Sequence, residues 1–169
     1  MTTVIDPTEL FFGAPVSLTV GGTEVGGTVD IPKITITPTI YSPDFQNAAG
    51  PIKDSDIITK ILVAADVTVN QFTAAKIAWA MAGATTVAGT TTWKGGRIPS
   101  TAYKDVIMVG VGLDGREMTF TIKDAIANGP LEIDLGNTAI AGLKIHFEGR
   151  FGSTTPMLAP FTLVFSGGS

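Results

Sequence analysis

Alternation with a period of two constrains this chain more than any other feature. From Ile57 to Val69 the odd positions carry Ile57, Ile61, Val63, Ala65, Val67 and Val69, broken only by Thr59, with Lys60, Asp66 and Thr68 between them. Successive side chains of an extended strand point to opposite faces, so the pattern predicts one long strand with a core face and a mixed face. At about a dozen residues it is roughly twice the usual strand length. The same period runs through Tyr103–Leu113 and Arg116–Lys123, joined by Asp114-Gly115, a pair suited to the φ > 0 positions of a type I′ hairpin turn. In the second of these, Met118, Phe120 and Ile122 share one face, and Glu117, Thr119, Thr121 and Lys123 the other.

Further segments follow suit. Across Ala139–Phe151, Leu143, Ile145, Phe147 and Phe151 are expected in the core, opposite Lys144, His146, Glu148 and Arg150. Leu131–Leu135 and Phe161–Phe165 read as shorter strands. Near the start, Val16–Val20 and Glu24–Asp30 flank Gly21-Gly22 as a hairpin, and Lys33–Ile40 places Ile34, Ile36 and Ile40 on one face. Pro32 and Pro38 lack an N–H donor, which suits an edge, a bulge or a strand end.

One helix is predicted, Gln71–Ala82, with Asn70 as cap and Gly83 as terminator. Phe72, Ala75 and Trp79 form one apolar side and Ile77 and Met81 another, leaving a narrow sector with Thr73, Lys76 and Ala80 for water. A helix apolar on two sides is buried or lies in an interface, so Phe72, Ile77, Trp79 and Met81 are candidate interface residues. Two irregular stretches remain. Tyr41–Asp56 is a long loop with two prolines, of the length that tends to be functional or disordered, and Tyr41 and Phe45 are its candidate contact residues. Thr85–Ala102 is rich in Thr and Gly, with Trp93 either exposed or docked. No linker composition divides the chain, so residues 1–169 read as one mainly β domain, a sandwich or barrel with one flanking helix.

Composition narrows the function. Charged residues are 15% of the chain against about 25% in ordinary soluble domains, while hydrophobic residues are 44%. Too few solvating groups are present to cover the surface of a free monomer, so self-assembly is expected. The net charge of −4 and eleven scattered basic residues exclude a DNA clamp, which needs clustered Lys and Arg. The absence of cysteine excludes disulfides, zinc-thiolate sites and thiol nucleophiles. Met1–Phe12 has no basic start, and Asp6 and Glu9 interrupt its apolar residues, so it does not read as a signal peptide. No apolar run of about 18 residues predicts a membrane span. Synthesis and retention in a cytosol are expected.

No catalytic constellation emerges. His146 is the single histidine, no Gly-x-Ser-x-Gly elbow accompanies it, and it falls among charged residues on a strand face. Asp54-Ser55-Asp56 lacks the glycine and glutamate of a calcium loop and reads as a turn. The glycine pairs sit between strands and match no phosphate-binding loop. Trp93, Lys94 and Arg97 could stack on a nucleic-acid base but lack a wider basic patch. Glu132 and Asp134 share a strand face and could form a glycosidase-like pair, though an exposed acidic face is the plainer reading. Neither an enzyme, a metal site nor a cofactor is expected.

The layout resembles the tail tube (major tail) proteins of long-tailed bacteriophages. The resemblance lies in the glycine-punctuated Val20-Gly21-Gly22-Thr23-Glu24-Val25-Gly26-Gly27-Thr28, the long loop Tyr41–Asp56, and the long strand Ile57–Val69 leading into the helix. It ends in Lys144-Ile145-His146-Phe147-Glu148-Gly149-Arg150 and Pro160-Phe161-Thr162-Leu163-Val164-Phe165. It implies a virion protein, made in a host bacterium, that forms hexameric rings whose inner sheets join into one barrel. Rings would stack around a tape-measure protein and meet terminator and baseplate proteins, and double-stranded DNA would later pass through the lumen unbound. The N-terminal arm 1–12 and the loop 41–56 would reach neighbouring subunits. An acidic lumen would repel DNA phosphate, and Glu24, Asp30, Asp66 and Glu117 are the candidates to face it. The competing expectation is a β-sandwich binding module, such as a capsid decoration or adhesin domain, acting through Trp93.

Overall fold

The structure is a computed structural model that describes residues 17–26, 32–44, 50, 52–70, 73–112, 115–134 and 142–166. Among these residues eleven strands run in the order β1 (Ser17–Val20), β2 (Thr23–Glu24), β3 (Lys33–Tyr41), β4 (Ile57–Val69), β5 (Thr85–Val87), β6 (Thr90–Thr92), β7 (Lys104–Val111), β8 (Glu117–Ala127), β9 (Glu132–Asp134), β10 (Gly142–Glu148) and β11 (Phe161–Ser166). The helix α1 (Ala74–Ala80) lies between β4 and β5. The chain is therefore mainly β with one helix, as the alternation predicts. Among the described residues all strand pairs are antiparallel, and the main sheet does not close on itself.

Two layers share one core. The first layer runs β2-β1-β7-β8-β11; the second runs β10-β4-β3, with β9 also on β10. β8 belongs to both. Its first part pairs with β7 and β11, and its end pairs with β10 through Ala127 opposite Phe147. The switch needs one extra residue: between the pairs Val106–Ile122 and Lys104–Ala125, β8 spends three steps where β7 spends two. Such a bulge bends a strand and re-aims its side chains. Asp124 takes the left-handed φ of 48° this requires, and its N–H donates to Asp105 Oδ1 at 3.0 Å. Because of that phase change Ile122, Ala125 and Ile126 are all buried.

The core forms from the inward faces of both layers. Leu18, Val20, Val106, Met108, Phe120 and Ile122 come from the first, and Val63, Ala65, Val67, Val69, Leu143, Ile145 and Phe147 from the second. Each buried aliphatic or aromatic side chain contributes roughly 1.5–3 kcal/mol relative to exposure. Phe120 also stacks on Phe161, ring centroids 5.7 Å apart. Where β10 ends, a Cβ on Gly149 would lie 2.8 Å from Ile122 Cγ2 and 3.3 Å from the Pro160 carbonyl oxygen. Only glycine lets the chain cross the core rim there.

Several expectations change. The helix is shorter at both ends than Gln71–Ala82: Thr73, not Asn70, is its cap and accepts from the Lys76 N–H at 3.4 Å. Ala80, expected toward water, is the buried helix residue, and Ala75, expected on an apolar side, is exposed. Phe151, expected in the core, is 37% exposed because β10 stops at Glu148. The β7–β8 connection is wider than a two-residue turn. Gly115 N–H donates to Gly112 O, Gly112 N–H to Arg116 O, and Gly115 holds φ 80°, the pattern of a three-residue hairpin loop. Gly21 and Gly22, at φ 57° and 78°, do form the two-residue turn expected between β1 and β2. The expected strand Glu24–Asp30 begins as β2, and residues 27–31 lie outside the described residues. Among the described residues, no helix is long and apolar enough to cross a membrane.

Candidate interaction surface

β3 and β4 form a hairpin whose two ends differ. At the inner end, Val63, Ala65, Val67 and Val69 pack in the core, and the odd positions are buried as the alternation predicts. At the outer end, Ile40, Tyr41, Ile57 and Ile58 are 56–60% exposed, and Ile36, opposite the buried Val63 on the edge strand, is 43% exposed. Thr59, the one break in the alternation, is where the register slips: Thr39 pairs with Lys60 and Ile40 with Ile58, leaving Thr59 unpaired on β4. Its hydroxyl donates to the Thr39 carbonyl at 3.2 Å. β3 pairs only with β4 among the described residues, and no described strand pairs with its other edge, the setting in which Pro38 is tolerated. Beyond the hairpin, Ser42 Oγ donates to Asp56 Oδ1 at 2.5 Å and closes the neck of the long loop. Lys53-Asp54 is a turn, with Asp54 at φ 69°.

The four candidate acidic residues do not share a surface. Glu24 lies opposite Thr19, which aligns with Ile107 and Thr121 across the first layer, and Glu117 sits four residues before Thr121 on that same outward face. Asp66 projects from the outward face of the second layer, on the far side of the core. Asp30 lies outside the described residues. Asp66 is also engaged: it aligns with Lys33 on one side and His146 on the other, and His146 Nδ1 is 2.6 Å from its Oδ1. This cross-strand pair was the partner of the lone histidine that sequence could not name. Lys144 and Glu132 pair nearby at 3.3 Å, and no group of three or more metal-ligating side chains occurs among the described residues.

Of the candidate interface residues, Ile77 and Trp79 pack against the chain's own core cluster, and Met81 is half-buried at the end of α1. Tyr41 is 57% exposed. Phe45 and Phe72 lie outside the described residues. The segment expected to be irregular after α1 holds the small hairpin β5–β6, fastened to the helix by the Thr86 and Thr91 hydroxyls donating to the Ala74 carbonyl.

Trp93 is both docked and exposed. Its indole N–H donates to the Ala82 carbonyl at 2.9 Å, yet 64% of the residue faces solvent. It lines a groove of about 620 Å³ with Lys94, Arg97, Tyr103, Leu131 and Arg150, and none of the described residues that line it is acidic. Arg150 is already neutralised by Glu148, at 2.6 Å and 3.2 Å. That hydrogen bond, with a further one from the Asn128 amide, holds the Glu148 carboxyl below its ordinary range against the opposing effect of burial. Lys94 and Arg97 form no ion pair with the described residues.

Compared with known proteins, the chain matches no family model and no curated protein.

Proposed function

We propose that this chain is a structural subunit that assembles with copies of itself, of the kind that builds a bacteriophage tail tube. The observation that carries the reading is the outer end of the β3–β4 hairpin. It combines a strand edge that no described strand covers with four large apolar side chains left in water, Ile40 and Ile58 on one face and Tyr41 and Ile57 on the other. Isolated exposed apolar residues are ordinary, but exposed apolar groups on both faces beside an uncovered strand edge form a site that proteins cover with a partner. Leu163 and Val164 on β11, 46% and 52% exposed, add a second apolar strand, on the first layer. Joining such edges between subunits removes them, and repeated around a ring it builds a barrel about a lumen. On this reading the protein is a non-catalytic virion component through which DNA passes, and tape-measure, terminator and baseplate proteins are its partners.

The competing role, a decoration or adhesin module, draws on the exposed Trp93 and its groove. Negative-stain electron microscopy of concentrated protein, with sedimentation velocity, separates the two. Rings or tubes with a central hole are expected. A protein that stays monomeric across salt and concentration while retaining a ligand at the Trp93 groove overturns the tube reading.

A further inference from the structure

The turn that leaves β8 carries a chemically labile pair of residues. We infer that Asn128-Gly129 is a site of self-modification, where the asparagine deamidates through a cyclic imide and Glu148 sets the rate. Water is the only co-reactant, and the inference stands independently of the assembly reading above.

Packing dictates the pair. β8 ends at Ala127, and the Asn128 N–H then donates to the His146 carbonyl at 3.0 Å, which draws the turn onto β10. A Cβ on Gly129 would lie 2.9 Å from His146 Cβ, so any larger residue must push the turn or β10 aside. Glycine is thus favoured directly after this asparagine, and glycine is the neighbour that shields an asparagine least. Asn47, Asn70 and Asn137 each precede a residue with a Cβ; Asn128 alone precedes glycine. Both residues of the pair are exposed, and the Gly129 N–H makes no hydrogen bond with the described residues.

The reaction balances with water alone. The Gly129 backbone nitrogen attacks Asn128 Cγ and a C–N bond forms. The side-chain nitrogen leaves as ammonia and takes the Gly129 amide proton with it. Water then opens the five-membered imide and returns a hydrogen to the glycine nitrogen. Attack at Cγ leaves an aspartyl residue, and attack at the backbone carbonyl leaves an isoaspartyl residue. Either product adds one negative charge per copy.

Glu148 is the brake. Its carboxylate only accepts, so the Asn128 side chain must present its N–H to it, and while that bond holds Cγ is not free to swing onto the Gly129 nitrogen. Arg150, 2.6 Å from Glu148 Oε1, keeps the carboxylate in place. Conversion undoes the arrangement, because a carboxylate replaces the amide and two like charges then compete for one guanidinium. Asn128 also lines the Trp93 groove, so conversion puts a carboxylate on a wall where the described residues have none.

The test is peptide mass mapping of the full-length protein held at mildly alkaline pH. The peptide carrying Asn128 should gain the mass difference between amide and acid, in aspartyl and isoaspartyl forms, and Asn128→Gln should stay unconverted. Glu148→Ala should speed the gain roughly tenfold, the effect of releasing one hydrogen bond to a charged group, whereas Glu148→Gln keeps an acceptor oxygen and should stay near the wild-type rate. If circular dichroism shows Glu148→Ala unfolded, Arg150→Ala, which loosens the same carboxylate, takes its place. No conversion of the folded wild type or the folded variant, over a time in which the urea-unfolded chain converts, overturns the site. Equal rates in the wild type and the folded variant overturn the brake. The consequence has its own readout: Asn128→Asp should lower the urea midpoint, and adding Glu148→Gln, which restores one carboxylate and one amide, should recover it. An unchanged midpoint in Asn128→Asp overturns the competition for Arg150.

Discussion

The two ends of the β3–β4 hairpin share one pair of strands, one antiparallel ladder and one apolar composition, yet one end is core and the other surface. From Val63 to Val69 the second layer lies over the first, and the inward side chains disappear. From Ile57 to Lys60 every residue is exposed. The difference teaches that alternation sets which face a side chain takes, while burial depends on whether another layer lies opposite. The adjacent pair Ile57-Ile58 is the local clue, since it puts apolar groups on both faces at once.

The largest test of the contrast is a truncation made at both ends. Leu143→Ala, opposite Val69 at the fully buried end, should cost about 2–5 kcal/mol in urea denaturation, the range for emptying a tight core site. Ile58→Ala at the outer end should change monomer stability by less than about 0.5 kcal/mol. It should instead weaken assembly measured by sedimentation; equal destabilisation at the two ends would erase the distinction.

Gly149→Ala probes the rim that closes the buried end. The new methyl would press on Ile122 and the Pro160 backbone, so a loss of about 1–3 kcal/mol is expected from the denaturation midpoint. Thr73→Ala removes the cap of α1 and should cost about 0.5–1 kcal/mol, small because the capping bond is long at 3.4 Å.

The smallest effect is in acid. Glu148 is held below its ordinary range, chiefly by Arg150, so in the folded chain it stays ionised at pH values where the unfolded chain is protonated. Its contribution is complete above the unfolded value of about 4.3 and is lost as pH falls through its lower folded value. Glu148→Gln should therefore flatten the acid limb of a stability–pH curve and leave the neutral region's slope unchanged. An unaltered acid limb would mean that the Arg150 pair does not persist in solution.

Much of this was legible in advance for a physical reason. β4 has the bounds Ile57–Val69 that its alternation marks, and the Gly21-Gly22 turn follows from the φ > 0 that only such residues adopt freely. The helix was overextended because apolar residues on either side of it, Met81 among them, belong to its flanks and carry no helical period of their own. The Asp66–His146 pair lies 80 residues apart in sequence, and only strand order makes it a contact. For the same reason the candidate carboxylates looked alike in sequence although Asp66 and Glu117 stand on opposite sides of the core.

By itself, then, the sequence determined the β class, the single helix, the faces of the long strands and the shortage of charge that points toward assembly. These are local or compositional properties, carried by side-chain period and turn chemistry. The tertiary structure decided which parts of those faces are covered. The bulge at Asp124 sends β8 from one layer to the other, the register slip at Thr59 passes the hairpin out beyond the core, and chain segments far apart in sequence meet to leave a cationic groove without carboxylates. Each depends on which strands become neighbours, and adjacency between distant segments is not encoded in the period of either one.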